Sequence, residues 1–530
     1  MWEIGAILRA RLINAAQVPF EKHAAVFVLL QDNRARIIER RKLLDKLPFA
    51  RPDKLRQLLN ILRGNADLGN PATIRALGAI DLSLNLLAKS AQTSIRMPVM
   101  FQIGAKARVF AVLLLFQPAD LDEIGNHFLE SIMASSNVAS GEEFYRIQKL
   151  PPYVFAVINE MKAKARAAQQ DVVDLGMGNP DGATPEPIVK KLIDAVRNPR
   201  NHRYSMSRGI PRLRAEIAKR YRTKYDVDLD PETEAIVTIG AKDALAHLLF
   251  AVIGPGDAVV SPNPAYPIHQ YGVIMAEGHA CMLPMPTPAE FLNRLEHLYK
   301  TSSRKPRMIL ISFPHNPTTH CVDLQFFRDI VALAARHGTM IVHDFAYADL
   351  GFDGYEPPSI LQVDGAKEIA VEIYSMSKSF NMAGWRVGFC LGNKKMIGAL
   401  ARIKSYLDYG VFQPIQIASI IALRECAKDT EKIRNVYQKR RDALITGLDR
   451  AGWAVQPPQA TMFVWAPIPE KYRAKGSLEF SKLLLEKALV AVSPGIGFGP
   501  LGEGHVRFAL IENQHRTRQA TKAIQQFLKK

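Results

Sequence analysis

The chain has 530 residues, 48% of them apolar, and a formal net charge of +18. A length this far beyond what one hydrophobic core uses implies two or more domains with room for a buried cofactor. The basic residues are spread along the chain rather than gathered into one block, so no nucleic-acid or membrane partner is expected and the charge reads as solubility and attraction for anionic substrates.

Residues 1–132 are rich in Arg, Lys and Leu, with helical spacing over 37–62 and few turn signals. Apolar patches at 24–30 and 109–116 are shorter than a membrane span and lie outside any cleavable-signal context. The polar stretch Ala134-Ser135-Ser136-Asn137 after Met133 looks like a natural start, so 1–132 is expected to be an extension from an over-long start; a helical DNA-binding head is the alternative. Residues 133–185 are expected to form an N-terminal arm and part of a small domain, 186–425 a large domain, and 426–530 a small C-terminal domain.

Beyond Met133 helix and strand patterns alternate. Segments 188–196 and 211–225 have amphipathic helical spacing, and 235–239, 258–261, 308–312 and 340–343 are short apolar runs of buried-strand type. Strands separated by helices predict an α/β fold with a largely parallel sheet. A helix over 432–451 and a mixed segment from Gly452 onward predict the second, smaller α/β domain. The cysteines Cys281, Cys321, Cys390 and Cys426 lie far apart, which argues against a metal knuckle or redox pair and suits a reducing cytoplasm.

Several polar motifs interrupt this pattern. Tyr374-Ser375-Met376-Ser377-Lys378-Ser379 follows an apolar run and precedes Gly384-Trp385-Arg386-Val387-Gly388. A lysine becomes a nucleophile only where burial and nearby cations keep part of it unprotonated, and Ser375 and Arg386 are suited to a phosphate. In His343-Asp344-Phe345-Ala346-Tyr347 a carboxylate leaves a strand with a phenol three residues on; on its own Asp344 serves equally as a helix cap. Asn316, in Phe313-Pro314-His315-Asn316-Pro317, fits either a turn or an amide presented at a sheet edge. Thr238-Ile239-Gly240-Ala241-Lys242 reads as strand, tight turn and helix start, a geometry that aims free amides at an anion. Taken singly, Tyr266 could be a core residue, Tyr204 a surface tyrosine and Arg507 a solvent-facing strand arginine.

From about Tyr145 to the C-terminus these motifs together resemble the class I and II aminotransferase family, whose serine three residues before the lysine and arginine eight after it match Ser375, Lys378 and Arg386. The resemblance implies a pyridoxal-phosphate-dependent transferase of fold type I, with Lys378 as the catalytic lysine that holds the cofactor. It implies that Asp344 pairs with the pyridinium nitrogen, that Tyr347 and Asn316 meet the ring hydroxyl, and that Tyr266 stacks on the ring. The phosphate falls to the amides of Ala241 and Lys242, to Ser375 and Arg386, and to Tyr204 of a neighbouring subunit, which implies a homodimer with shared active sites. Gly178, Asn316 and Arg507 fall to the substrate α-carboxylate. Ala241 offers an amide but no hydroxyl where relatives carry serine or glycine.

Within the family, the segments 150–155, 177–185, 207–214 and 493–499 look like those of bacterial glutamate–pyruvate aminotransferases. The expected substrates are therefore small amino acids and 2-oxo acids: L-alanine and 2-oxoglutarate giving pyruvate and L-glutamate. Transamination of aspartate, diaminopimelate or bulky apolar amino acids, a carbon–sulfur lyase on the same fold, and a regulator using residues 1–132 are the alternatives. No metal is expected.

Overall fold

The computed structural model describes residues 25–31, 108–114, 144–151 and 154–529, which fall into two compact units, Met1–Glu143 and Phe144–Lys530. In the first unit β1 (Ala25–Gln31) pairs antiparallel with β2 (Arg108–Leu114), Ala25 opposite Leu114 and Gln31 opposite Arg108. The helix expected over 37–62 and the start expected at Met133 lie outside the described residues.

The second unit is built on a seven-stranded sheet. In chain order its strands follow β3 (Val173–Asp174) and are β4 (Ala235–Thr238), β5 (Ala258–Asn263), β6 (His279–Pro284), β7 (Met308–Ser312), β8 (Met340–Phe345), β9 (Ala370–Ser375) and β10 (Gly388–Gly392). The spatial order is β4-β10-β9-β8-β7-β5-β6. Only β10 runs against its neighbours, so the largely parallel α/β sheet expected from the sequence is what forms.

The apolar runs alternate between two cores. Val237, Ile309, Ile311 and Ile341 face one layer, where they meet Leu213, Ile217 and Tyr221 of α2 (Pro211–Tyr225). Ile236, Met308, Leu310 and Val342 face the other, packing on Leu245, Leu248 and Leu249 of α3 (Ala241–Val252). Each strand is thus buried on both faces, which is why it reads as a continuous apolar stretch. The earlier helix α1 (Phe155–Ala167) packs on the C-terminal part of the chain, where Ile158 meets Leu485 and Ala491.

A second core forms around the antiparallel strands β11 (Phe463–Pro467), β14 (His505–Ala509) and β13 (Ser493–Pro494), with β12 (Val490–Ala491) pairing parallel to β3. It takes in Ile433, Tyr437 and Leu444 of α4 (Ala427–Arg450), and also Tyr347, Leu350 and Phe352 from the loop after β8. This helix begins before the predicted 432 because its first turn, Ala427-Lys428-Asp429-Thr430, is polar and carries no apolar period. No helix among the described residues is long and apolar enough to cross a membrane.

Between the cores, Asp349 is enclosed by Arg220, whose Nη2 lies 2.7 and 2.9 Å from its two oxygens, and by Lys224 Nζ and the Tyr374 hydroxyl. Burial alone raises its pKa, but the Arg220 and Lys224 charges outweigh burial and hold the carboxyl well below the usual range. A carboxyl depressed in the folded state contributes stability above its unfolded pKa of about 4 and loses it as pH falls below that value. Asp349→Ala strands buried Arg220 and is expected to cost about 3–5 kcal/mol in urea unfolding at pH 7. The gap between wild type and variant narrows as unfolding is repeated at progressively lower pH beneath pH 4.

Candidate active site

The site grows from the ends of the parallel strands. β9 delivers Ser375 at its last position, and one helical turn, Met376–Ser379, capped by Ser375 Oγ accepting from Ser377 N at 3.3 Å, turns Lys378 back over the sheet edge. Lys378 Nζ donates to the Gly178 carbonyl at 2.8 Å. Burial, then the charges of Arg507 and Arg386, lowers its pKa to about 8. Roughly a tenth of the amine is then unprotonated at pH 7, against well under a thousandth for a free lysine.

The next-to-last residue of β8, on the neighbouring strand, is Asp344, whose Oδ2 lies 3.0 Å from His269 Nε2, while Oδ1 is buried with no partner. A buried carboxylate oxygen without a donor fits a ligand that brings an N–H of its own. Tyr347 follows on the same loop. Its hydroxyl accepts from Asn316 Nδ2 at 3.4 Å, and Asn316 Oδ1 accepts from Arg507 Nη1 at 2.7 Å. Burial pushes the Tyr347 phenol well up, with Arg507 opposing and Asp344 adding to the rise, so it stays a neutral hydrogen-bonding group.

Arg507, on β14, is only 6% exposed. Its guanidinium carbon lies 3.9 Å from the Phe463 ring centroid and 4.5 Å from that of Phe498, and Nη2 reaches the Gly176 carbonyl at 3.4 Å. The two rings fix the plane of the guanidinium, which is what a bidentate carboxylate clamp requires. Gly178 is dictated by space: a Cβ there would stand 2.6 Å from Phe463 Cε1.

At the other end, β4 leads through Gly240 into α3, whose first N–H groups, including those of Ala241 and Lys242, have no intrahelical acceptor. Gly240 has φ +83°, and a Cβ on it would fall 2.5 Å from Arg386 Nη2. Arg386 itself is left-handed at φ 56° and donates to the Ala383 carbonyl at 3.0 Å. Gly388 pairs with Ser375 in the sheet, and its position lies against Ala241 N. Helix amides, a guanidinium and a hydroxyl thus converge in a cradle for a dianion. Lys242 Nζ sits 5.4 Å from the Tyr266 ring centroid.

The structure gathers eleven of the twelve predicted site residues around this sheet edge. Tyr204 is the twelfth: 85% exposed, it packs on Tyr409 with ring centroids 4.7 Å apart. Sequence reasoning missed His269 behind Asp344, although it lies one helical turn after Tyr266, and it missed Phe463 and Phe498 as the holders of Arg507. A lysine with a depressed pKa, an unpartnered carboxylate oxygen and an anion cradle suit an aldehyde-bearing phosphorylated pyridine.

Fold and site together define the pyridoxal-phosphate-dependent class of α/β enzymes. Residues 170–525 match the family described as aminotransferase class I and II, and the chain belongs to that family. It is an aminotransferase, and the family uses pyridoxal phosphate. It is 54% identical over 384 residues, 72% of this chain and 92% of the relative, to the glutamate-pyruvate aminotransferase AlaC of Escherichia coli strain K12. It is 40% identical to the LL-diaminopimelate aminotransferase of Moorella thermoacetica, over 73% of this chain and 99% of the relative. Among solved structures, substrate-bound BacF from Bacillus subtilis superposes with TM-score 0.68 at 34% identity, covering 73% of this chain and 98% of that one.

If burial and the two arginines set the Lys378 pKa, its reaction with acetic anhydride in the cofactor-free protein rises with a midpoint near pH 8, read by peptide mass spectrometry. Arg386→Gln moves that midpoint upward by removing one of the depressing charges. A wild-type midpoint above pH 10 contradicts the assignment.

Proposed function

We propose that the chain transfers the amino group of L-alanine to 2-oxoglutarate, giving pyruvate and L-glutamate, as a homodimer in the cytoplasm, where its four free thiols are suited to a reducing medium. The observation that carries the chemistry is Lys378 Nζ, with its pKa lowered to about 8, held beside the Arg507–Asn316 pair. The alanine reading rests on 54% identity to a glutamate–pyruvate enzyme, against 40% for the diaminopimelate relative.

Pyridoxal phosphate, when bound, supplies an aldehyde and an electron-withdrawing ring that acidifies the substrate α-carbon. The amides of Ala241 and Lys242, with Ser375 and Arg386, hold its phosphate, and Tyr266 stacks on its ring. Asp344 Oδ1 accepts from the ring nitrogen, with His269 fixing the other oxygen. Tyr347 and Asn316 meet the ring hydroxyl. Arg507, Asn316 and the Gly178 backbone orient the substrate carboxylate so that the α-hydrogen faces Lys378 Nζ, which takes the proton from the α-carbon and gives it up at a second carbon, so that the amino group changes carrier. The 2-oxo acid half-reaction uses the same residues in reverse, which requires a ping-pong order. Tyr204, packed on Tyr409, with the exposed Tyr406 and Leu407 just before Tyr409 in the chain, supplies the apolar surface that meets a second copy, where Tyr204 reaches the partner's phosphate.

Purified holoenzyme is expected to make pyruvate from alanine and 2-oxoglutarate, read with coupled lactate dehydrogenase, at a kcat/KM at least about tenfold above those for LL-diaminopimelate and aspartate, a margin of ~1.4 kcal/mol. Faster turnover of LL-diaminopimelate overturns the alanine reading and leaves the reaction class in place. Arg507→Lys loses the bidentate clamp and is expected to cut kcat/KM by about 10²-fold for amino and oxo acids alike.

A further inference from the structure

Lys404 lies on a helix, Lys394–Leu407, whose spacing suggests nothing special, yet its side chain is 0% exposed. Its Nζ donates to Asp243 Oδ2 at 2.9 Å and to Asp408 Oδ2 at 2.8 Å. His247 completes the group, with Nδ1 2.9 Å from Asp243 Oδ1. Asp243 stands in the first turn of α3, directly after Ala241 and Lys242, and its Oδ2 also accepts from Ile239 N at 2.8 Å. It therefore ties the strand exit to the helix start that forms the anion cradle. A bare carboxylate there opposes a phosphate dianion, and the Lys404 ammonium offsets it.

The other carboxylate leads elsewhere. Asp408 Oδ1 accepts from Gly410 N at 2.7 Å, and Gly410, at φ +80°, approaches the Met206 carbonyl so closely that a Cβ would sit 2.8 Å from it. Between them Tyr409 packs its ring on Tyr204. One buried ammonium thus connects the chain's own phosphate cradle to the segment bearing Tyr204.

Building on the shared-site dimer proposed above, we infer that Lys404 is a positioning residue that sets two phosphate contacts at once: its own subunit's, through Asp243 and the α3 amides, and the partner's, through Asp408 and the tilted Tyr409–Tyr204 ring contact. Loss of the ammonium loosens the cofactor in both sites of the dimer. Asp408 serves only the arm that reaches across.

The test is the rate at which pyridoxal phosphate leaves diluted holoenzyme, followed by rapid gel filtration. Lys404→Met is expected to speed release about tenfold, and Lys404→Arg, which keeps the charge, to stay within about twofold of wild type. In a Tyr204→Phe background the Lys404→Met effect shrinks to about threefold, because only the Asp243 half remains to be lost. If Lys404→Met does not fold, Asp408→Asn carries the test: about threefold faster release alone, and no further acceleration on top of Tyr204→Phe. Full additivity of either substitution with Tyr204→Phe overturns the coupling while the shared site stands. If Tyr204→Phe leaves release unchanged, the shared-site reading fails and this inference fails with it.

Discussion

Six strands of the large sheet leave it at the same edge, and β10 enters there from the opposite direction. Because a parallel sheet offers its loops together at the carboxyl ends of its strands, residues from 240 to 386 meet without a long excursion of the chain. Asp344 and Ser375 sit on the strands themselves, while Lys378 follows within a single turn. The chemical groups are therefore placed by the pairing of β7, β8 and β9, whose burial on both faces makes their positions difficult to shift.

Binding and reactivity are not separable at this edge. Arg507 and Arg386, proposed to meet a carboxylate and a phosphate, are also the two charges that, after burial, depress the Lys378 amine. Charge removed from either position weakens the ligand contact proposed for it and, by raising the Lys378 pKa, leaves less of the amine unprotonated and free to accept a proton. The aromatic walls work in a comparable way: Phe463 stacks on Arg507 and also forbids any side chain at Gly178, whose carbonyl takes the Lys378 proton donor.

What was legible in the sequence follows burial. Residues 308–312 read as a strand and form β7 over the same span, since nothing polar breaks the run. The run at 340–343 stopped short of β8, which continues through Asp344 to Phe345, because a carboxylate looks like a strand end unless its partner is known. That partner, His269, comes from another helix 75 residues away, and no local pattern links the two. Lys404 was invisible for the opposite reason: a lysine in an amphipathic helix ordinarily covers apolar surface with its stem and leaves its charge in water. Here two carboxylates draw the whole side chain inside.

The buried carboxylates Asp349, between the two cores, and Asp344, at the sheet edge, have different surroundings. Asp349 has three donor groups closing on it, from Arg220, Lys224 and Tyr374, and both of its oxygens are engaged, leaving nothing for a ligand to do. Asp344 has one partner and one buried oxygen left over. An uncompensated buried acceptor costs free energy that a fully satisfied one does not, on the order of 1–3 kcal/mol. A fold retains such a group where a ligand completes it, so the contrast between the two aspartates separates structural from chemical charge on physical grounds, independently of the motif in which Asp344 stands.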